Sequence, residues 1–324
     1  FGKGPEQLFN TFSRKAINAA SIGQVHKATL DGKELAVKIQ YPGVADSISS
    51  DLRIVKPIAA RMFSISAVEL DQYMEEVESK LLEETDYSLE LERSMEITQL
   101  CSGLENISFP TYYPEYSTSR ILVMDWIEGK HLKEWIKTNP SKADRNRIGQ
   151  ALWDFYQYQI HELKQVHADP HPGNFLITES GSLGVIDFGC VKVIPEDFYF
   201  KYFQLMERRV LDASFDLESL FMELGFLTKN DSPRQRQFFM AIFTEMIELL
   251  GKPFHSNTFD FGDAAYFRQI FEVGERVSKM KEVRNSKSAR GNRHGLYVNR
   301  TYFGLYNLLH ELDATIETQA LESV

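Results

Sequence analysis

Two short polar loops constrain this 324-residue chain more than any other feature of its sequence. The first is His167–Asn174 and the second is Asp187–Gly189. Asn174 lies five residues after Asp169, and Asp187 lies eighteen residues after it. Asp, Pro, Gly and Asn are common in turns, so either loop alone could be an ordinary connection. Both loops at this spacing instead predict a paired set of polar side chains held at one site.

The residue types in the two loops suit phosphoryl transfer, and their spacing matches the catalytic and metal-binding loops of protein-kinase-like enzymes. Asn174 and Asp187 offer oxygen ligands of the kind that Mg²⁺ prefers. Asp169 is a candidate catalytic residue because a carboxylate can accept the proton of, or orient, an attacking hydroxyl or water. Gly173 and Gly189 allow the backbone to turn tightly beside phosphates.

A β-hairpin is predicted near the start of the chain. Val25–Leu30 and Lys33–Ile39 are strand-like runs separated by Asp31-Gly32, which favours a tight turn. In the second run the alternation places Leu35, Val37 and Ile39 on one face, and Ala36 and Lys38 on the other. Lys38 is a candidate ligand of the α- and β-phosphates of ATP, although a lysine on a strand is more often solvated.

The apolar spacing predicts helix from Ala67 to about Cys101, with an acidic opposite face. We expect Lys38 to pair with an acid on this helix, and favour Glu90 over Glu84. A strand over Arg120–Trp126 follows.

Helices are predicted to dominate the rest of the chain, including one continuous helix over Ile148–Val166. Two brief strands, Phe175–Thr178 and Leu183–Ile186, and a helix that starts at Pro195 come next. The predicted fold is therefore α+β and bilobal, like a protein kinase. A small strand-rich N-lobe would span residues 1–128, a larger helical C-lobe would span 129–324, and a cleft between them would bind Mg-ATP.

Six segments together resemble the UbiB/AarF-domain (ADCK-type) atypical kinases, over nearly the whole chain from Phe9 to Leu312. They are Ala19–His26, Val37–Val44, Glu84–Glu90, Leu122–Gly129 and the two polar loops. The family's Lys-x-Gly-Gln segment has no counterpart here, and we expect it to precede Phe1.

The resemblance implies roles for individual residues. It assigns Asp169, Lys38 and Glu90 to catalysis and Asn174 and Asp187 to Mg²⁺. The implied nucleotide contacts are an alanine-rich loop and a hinge that would bond adenine through its backbone, and they comprise Ala19, Ala20, Ser21, Gly23, Lys38, Met124, Asp125 and Ile127.

The resemblance also implies an atypical kinase or ATPase that supports ubiquinone or menaquinone biosynthesis at a membrane surface. Only Cys190–Ile194 lie between the second loop and Pro195, which leaves no peptide-docking platform and favours a small-molecule or lipid-related acceptor, or water. Two alternatives stay open: a nucleotide-gated pseudokinase scaffold that binds lipid or protein, and an antibiotic- or choline-type phosphotransferase.

Charge bears on partners and location. The net charge of −10 argues against nucleic-acid binding. Seven basic residues between Arg276 and Arg293 could meet anionic lipid, or could simply form a solvated loop. No run of about 18 apolar residues is present, and the two cysteines predict a reducing compartment. We expect a cytoplasmic or peripheral membrane protein, on the matrix side of mitochondria if eukaryotic.

Overall fold

The computed structural model describes residues 1–20, 22–63, 74, 77–78, 81–284 and 290–318. The strands are β1 (Thr11–Phe12), β2 (Asn18–Ala20), β3 (Gly23–Leu30), β4 (Lys33–Gln40), β5 (Ile107–Ser108), β6 (Ile121–Asp125), β7 (Gly129–His131), β8 (Gln165–His167), β9 (Phe175–Thr178), β10 (Leu183–Val185), β11 (Val191–Val193), β12 (Thr258–Asp260) and β13 (Thr315–Glu317). The helices are α1 (Val44–Phe63), α2 (Tyr87–Leu100), α3 (Leu132–Ile136), α4 (Lys142–Gln157), α5 (Glu196–Gln204), α6 (Leu217–Glu223), α7 (Pro233–Leu250), α8 (Ala264–Lys279), α9 (Lys281–Arg284) and α10 (Arg293–Glu311).

The chain divides into two compact units. The first contains Phe1–Gly103, Ser108–Gly129 and Gly184–Cys190, and the second contains the remainder, which is Leu104–Ile107, Lys130–Leu183 and Val191–Val324. The first unit thus includes the Asp187 loop, which the sequence prediction placed in the C-terminal lobe. The first unit is rich in strands and the second is mainly helical, so the predicted α+β class is confirmed.

The first unit is built on an antiparallel sheet in the order β1-β3-β4-β6, with β2 also paired to β3. The predicted hairpin turn is confirmed, because Asp31 and Gly32 both have positive φ angles of 49° and 82°. Leu35 and Val37 pack into one buried cluster, and Ala36 packs into a second cluster with Tyr87. The alternation of β4 therefore places Leu35 and Val37 on one face of the sheet and Ala36 on the other, as predicted.

Helix α2 packs against this sheet and carries an acidic residue, Glu90, in its first turn. Asp86 caps the helix by accepting a hydrogen bond from Ser88 N–H at 2.9 Å. The cap sets the start of the helix at Tyr87, so Glu90 lies one turn inside it. Part of the predicted Ala67–Cys101 helix, residues 67–73, lies outside the described residues.

The predicted continuous helix over Ile148–Val166 is wrong at its C-terminal end. Helix α4 stops at Gln157 and is followed by a π-helical turn, Tyr158–Glu162. Lys164 then adopts a positive φ of 51°, which breaks the helix and turns the chain into β8. Ile160 and Val166 stay buried, so the apolar periodicity continues although the backbone does not.

The second unit also contains strands that the sequence analysis missed. Strand β8 pairs with β11, and β12 pairs with β13 near the end of the described chain. Helix α10 is a core helix, because Leu305, Tyr306, Leu308 and Leu309 are all at most 3% exposed. Among the described residues, no helix is long and apolar enough to cross a membrane.

Candidate active site

Lys38 forms a buried ion cluster with two carboxylates inside the first unit. Its side chain lies on the β4 face that packs towards α2, and it is 6% exposed. Nζ lies 2.7 and 3.0 Å from the two carboxylate oxygens of Glu90 and 3.2 Å from Asp187 Oδ2. Glu90 is also buried, at 7%. The structure thus brings together three residues that the sequence analysis named, and Glu90 is the α2 residue that contacts Lys38.

Lys38 and Glu90 both hold their protons more tightly in this cluster than they would in water. Burial lowers the pKa of Lys38, but the charges of Asp187 and Glu90 outweigh burial and raise it overall. Burial raises the pKa of Glu90 to about 7, against the opposing charge of Lys38. Lys38 therefore stays charged, whereas ionising Glu90 costs free energy in the folded protein.

Tyr87 is a further member of this cluster that the sequence analysis did not assign to the site. Its side chain is fully buried, and Lys38 Nζ lies 5.0 Å from its ring centre. Burial raises the pKa of Tyr87 to about 12. The Tyr87 hydroxyl has no hydrogen-bond partner in the described part of the chain. The motif Glu84–Tyr87 was the available signal, but nothing in it identified the aromatic ring as a wall beside Lys38.

The Asp187-Phe188-Gly189 loop is held by its own backbone. Gly189 N–H donates to Asp187 Oδ1 at 2.8 Å, and the fully buried Phe188 ring packs against Phe109 at 6.1 Å between centroids. The Asp187 side chain remains 35% exposed. Gly189 N–H and Lys38 Nζ thus hold one Asp187 oxygen each, and the carboxylate is still accessible to a metal ion.

The alanine-rich segment forms a hairpin with β3 rather than an open loop. Ala19 pairs with Gln24, and Ala20 pairs with Gly23. Ser21, which was also assigned to nucleotide binding, lies outside the described residues. A Cβ at Gly23 would lie 2.3 Å from the Ile39 carbonyl oxygen, so packing between strands by itself requires glycine there.

The structure reduces the number of hinge residues whose backbone N–H could bond adenine. Met124 pairs with Ala36 inside the sheet, and Asp125 N–H donates to the Thr111 carbonyl at 2.9 Å. The Asp125 side chain accepts from Tyr113 Oη at 2.6 Å. Ile127 N–H, in contrast, has no acceptor among the residues that the structure describes. Of the donors in the expected hinge, Ile127 is the one free to bond adenine.

The second unit holds Asp169 and Asn174 in one short loop. Asn174 Nδ2 donates to the Asp169 carbonyl at 2.9 Å and to Asp169 Oδ2 at 3.3 Å. These bonds fix the Asn174 amide and leave its oxygen as an acceptor. Asp169 also accepts from Arg300 Nη2 at 2.7 Å on Oδ1. Arg300 lies 131 residues away on α10, and the sequence offered no local signal for this contact.

The side-chain oxygen atoms of Asn174 and Asp187 are of the kind that Mg²⁺ prefers. Asn174 supplies an amide oxygen and Asp187 an accessible carboxylate, and both are hard ligands. Magnesium in nucleotide sites is commonly held by one or two such side chains together with phosphates. The two residues are therefore chemically suited to the metal role predicted for them.

Part of the basic segment between Arg276 and Arg293 is paired within the protein. Arg276 pairs with Glu245, and Lys279 pairs with Glu275. Arg290 is nearly buried, bonds Asp231 and holds the pKa of that carboxyl down to about 2. Lys287 lies outside the described residues. Three of the seven basic residues thus have intramolecular partners, which weakens the anionic-lipid interpretation of this segment.

Sequence relatives carry kinase names. The chain is 30% identical over 261 residues to the mitochondrial atypical kinase COQ8 of Saccharomyces cerevisiae, covering 79% of this chain and 51% of that protein. It is 32% identical over 215 residues to AarF domain-containing protein kinase 1 of Xenopus laevis, covering 64% of this chain and 41% of the relative. The chain thus spans about half the length, or less, of these relatives.

The fold has a solved counterpart. Rv3197 of Mycobacterium tuberculosis, solved as a complex with erythromycin, superposes with a TM-score of 0.71 at 24% identity. The match covers 97% of this chain and 76% of that one. At this identity the likeness shows a shared fold, and that fold is kinase-like as predicted.

The family resemblance seen in the sequence is confirmed over most of the chain. The family described as "ABC1 atypical kinase-like domain" matches residues 1–214, which include Lys38, Glu90, both polar loops and the alanine-rich segment. The chain therefore belongs to the ABC1/AarF family of atypical kinase-like proteins.

Proposed function

We propose that this chain binds Mg-ATP and either transfers its terminal phosphate to a small-molecule acceptor or hydrolyses it. The observation that carries the proposal is the buried Lys38–Glu90 pair with Asp187 Oδ2 at 3.2 Å from the same ammonium group. A buried lysine between two acids is costly to assemble, and ATP phosphates give it a use.

Each residue then has a distinct task. Lys38 binds the α- and β-phosphates while Glu90 holds its ammonium group in place. Asp187 and Asn174 would hold Mg²⁺, and the ion would neutralise charge on the phosphates. Asp169 accepts the proton of the attacking hydroxyl or water, and the Ile127 N–H bonds the adenine ring.

We also propose that this activity supports isoprenoid-quinone biosynthesis from a membrane surface. The support is the family resemblance and the sequence similarity to a mitochondrial atypical kinase. An acceptor other than protein agrees with the brief connection between Gly189 and α5, which contains only strand β11.

The test is phosphate release from Mg-ATP, with and without liposomes that contain cardiolipin. Asp187→Asn should abolish magnesium-dependent nucleotide binding and reduce turnover at least about 100-fold. Asp212→Asn makes the same chemical change at an exposed residue of the second unit and should have no effect. Undiminished turnover in Asp187→Asn would refute the enzymatic proposal. Lost turnover with intact cellular complementation would favour the scaffold alternative.

A further inference from the structure

Helix α10 approaches the catalytic loop unusually closely. A Cβ placed on Gly304 would lie 2.1 Å from Cγ and 2.8 Å from Cβ of Pro170. Thr301 and Leu305, on either side of this glycine, are fully buried and anchor the helix. The contact is therefore possible only because residue 304 has no side chain, and it fixes α10 directly over the residue that follows Asp169.

The same helix presents Arg300 to Asp169, one turn before Gly304. Arg300 Nη2 donates to Oδ1 at 2.7 Å, and Asn174 Nδ2 donates to Oδ2 at 3.3 Å. Each carboxylate oxygen thus has its own donor. A carboxylate held at both oxygens cannot rotate freely about its Cβ–Cγ bond, and the bond from the charged guanidinium is the shorter of the two.

Folding stability does not account for this ion pair. The Arg300 side chain is 61% exposed and that of Asp169 is 39% exposed. Exposed pairs of this kind contribute little to folding stability, because water screens the charges and the side chains lose entropy. The consequence of the pair lies instead in the orientation of Asp169.

We propose that Arg300 is a positioning residue for phosphoryl transfer, and this inference rests on the proposed function. Arg300 anchors Oδ1, which leaves Oδ2, with its longer bond to Asn174, as the proton-accepting oxygen. In the transfer step the acceptor oxygen bonds the γ-phosphorus and its proton passes to Asp169 Oδ2. The bond from the γ-phosphorus to the bridging oxygen breaks, and ADP leaves.

The first test compares single-turnover rates of Arg300→Gln, Arg300→Lys and Arg293→Gln. Arg293 lies exposed at the start of the same helix and is the matched control. We expect Arg300→Gln to slow the chemical step about 100-fold, as a misoriented catalytic group does, without changing the KM for ATP. Arg300→Lys should recover part of the rate. A higher KM with an unchanged rate would overturn the proposal, since Arg300 would then bind nucleotide.

A double-variant cycle tests whether Arg300 acts through Asp169. In an Asp169→Asn background, Arg300→Gln should cost less than about threefold, because the carboxylate that it orients is already gone. Equal losses in both backgrounds would show an independent role and would refute the positioning assignment.

Chemical rescue separates orientation from structure. Millimolar guanidinium chloride should raise the rate of Arg300→Ala several-fold, and sodium chloride at the same ionic strength should not. An absence of rescue, together with no advantage of Arg300→Lys over Arg300→Gln, would show a merely structural role. Failure of the proposed function would look different, because the unmodified chain itself would then lack Mg-ATP turnover.

Discussion

Glu90 should make the stability of this protein fall as pH rises towards neutrality. Burial raises its pKa from the ordinary value of 4.5 to about 7. Below pH 4.5 the residue is protonated in both the folded and the unfolded chain, so no penalty exists. Between 4.5 and about 7 the unfolded chain releases the proton first, and stability declines. The full decline amounts to about 3 kcal/mol, because each pKa unit corresponds to 1.36 kcal/mol.

Glu90→Gln isolates this contribution. Glutamine keeps the shape of the side chain and can still accept a hydrogen bond from Lys38. Asp187 Oδ2, 3.2 Å from Lys38 Nζ, remains as the second acceptor. Urea unfolding at pH 5.0 and pH 8.0 should show the free energy of unfolding of the variant rising by about 2–3 kcal/mol relative to that of the unmodified protein between the two values. Other titrating groups are common to both proteins and cancel in the comparison.

Glu92→Gln is the control, since Glu92 is exposed on the same helix. Its unfolding free energy should run parallel to that of the unmodified protein at both pH values. If Glu90→Gln also ran parallel, burial would not be holding the Glu90 proton, and the electrostatic account of the Lys38 cluster would be wrong.

Two further stability predictions follow from individual contacts. Gly304→Ala should destabilise the protein by about 1–3 kcal/mol, because the added methyl group would overlap the Pro170 ring. Gly274→Ala is the control: a Cβ there meets no atom within 4 Å, so this variant should be neutral or stabilise the protein by up to about 1 kcal/mol. The urea unfolding midpoints of the two variants test this, and equal effects would contradict the close approach of α10 to Pro170. Burial lowers the pKa of His161 to about 4, so the contribution of His161 to stability should be lost as pH falls from 6.5 towards 4. In His161→Gln the free energy of unfolding should therefore depend less on pH over this range. An unchanged pH dependence would mean that the imidazole is not held neutral in the folded protein.

Local patterns predicted the first unit well. The Asp31-Gly32 turn and the alternation of β4 are short-range signals, and they were sufficient to place Lys38 on the face opposite Leu35 and Val37. Glu90 followed from the expectation that Lys38 would pair with an acid on the helix after it. These features were predictable because each depends on a few neighbouring residues and on one strong electrostatic requirement.

Features that depend on tertiary contacts were not predictable in the same way. The helix before the catalytic loop keeps its apolar spacing through Val166, yet Lys164 takes a positive φ and β8 pairs with β11. Apolar periodicity reports burial, and it cannot distinguish a buried helix from a buried strand reached through a π-helical turn. Arg300 lay beyond prediction because its contact with Asp169 arises from the packing of α10.

The two polar loops belong to different units of the chain. Sequence proximity would group Asp187 with Asn174, but the structure places Asp187 in the first unit with Lys38 and Glu90, and Asn174 in the second with Asp169 and Arg300. As proposed above, the first group contains charges that phosphates and a metal require, and the second contains the base that an acceptor requires together with Asn174, the other proposed metal ligand. Under the proposed function, substitutions in the first group should therefore weaken nucleotide binding, whereas substitutions at Asp169 and Arg300 should slow turnover with nucleotide binding intact. Measured side by side on one set of variants, nucleotide affinity and single-turnover rate would distinguish these effects, and a loss of affinity in Asp169→Asn equal to that in Asp187→Asn would show that the two groups share one task.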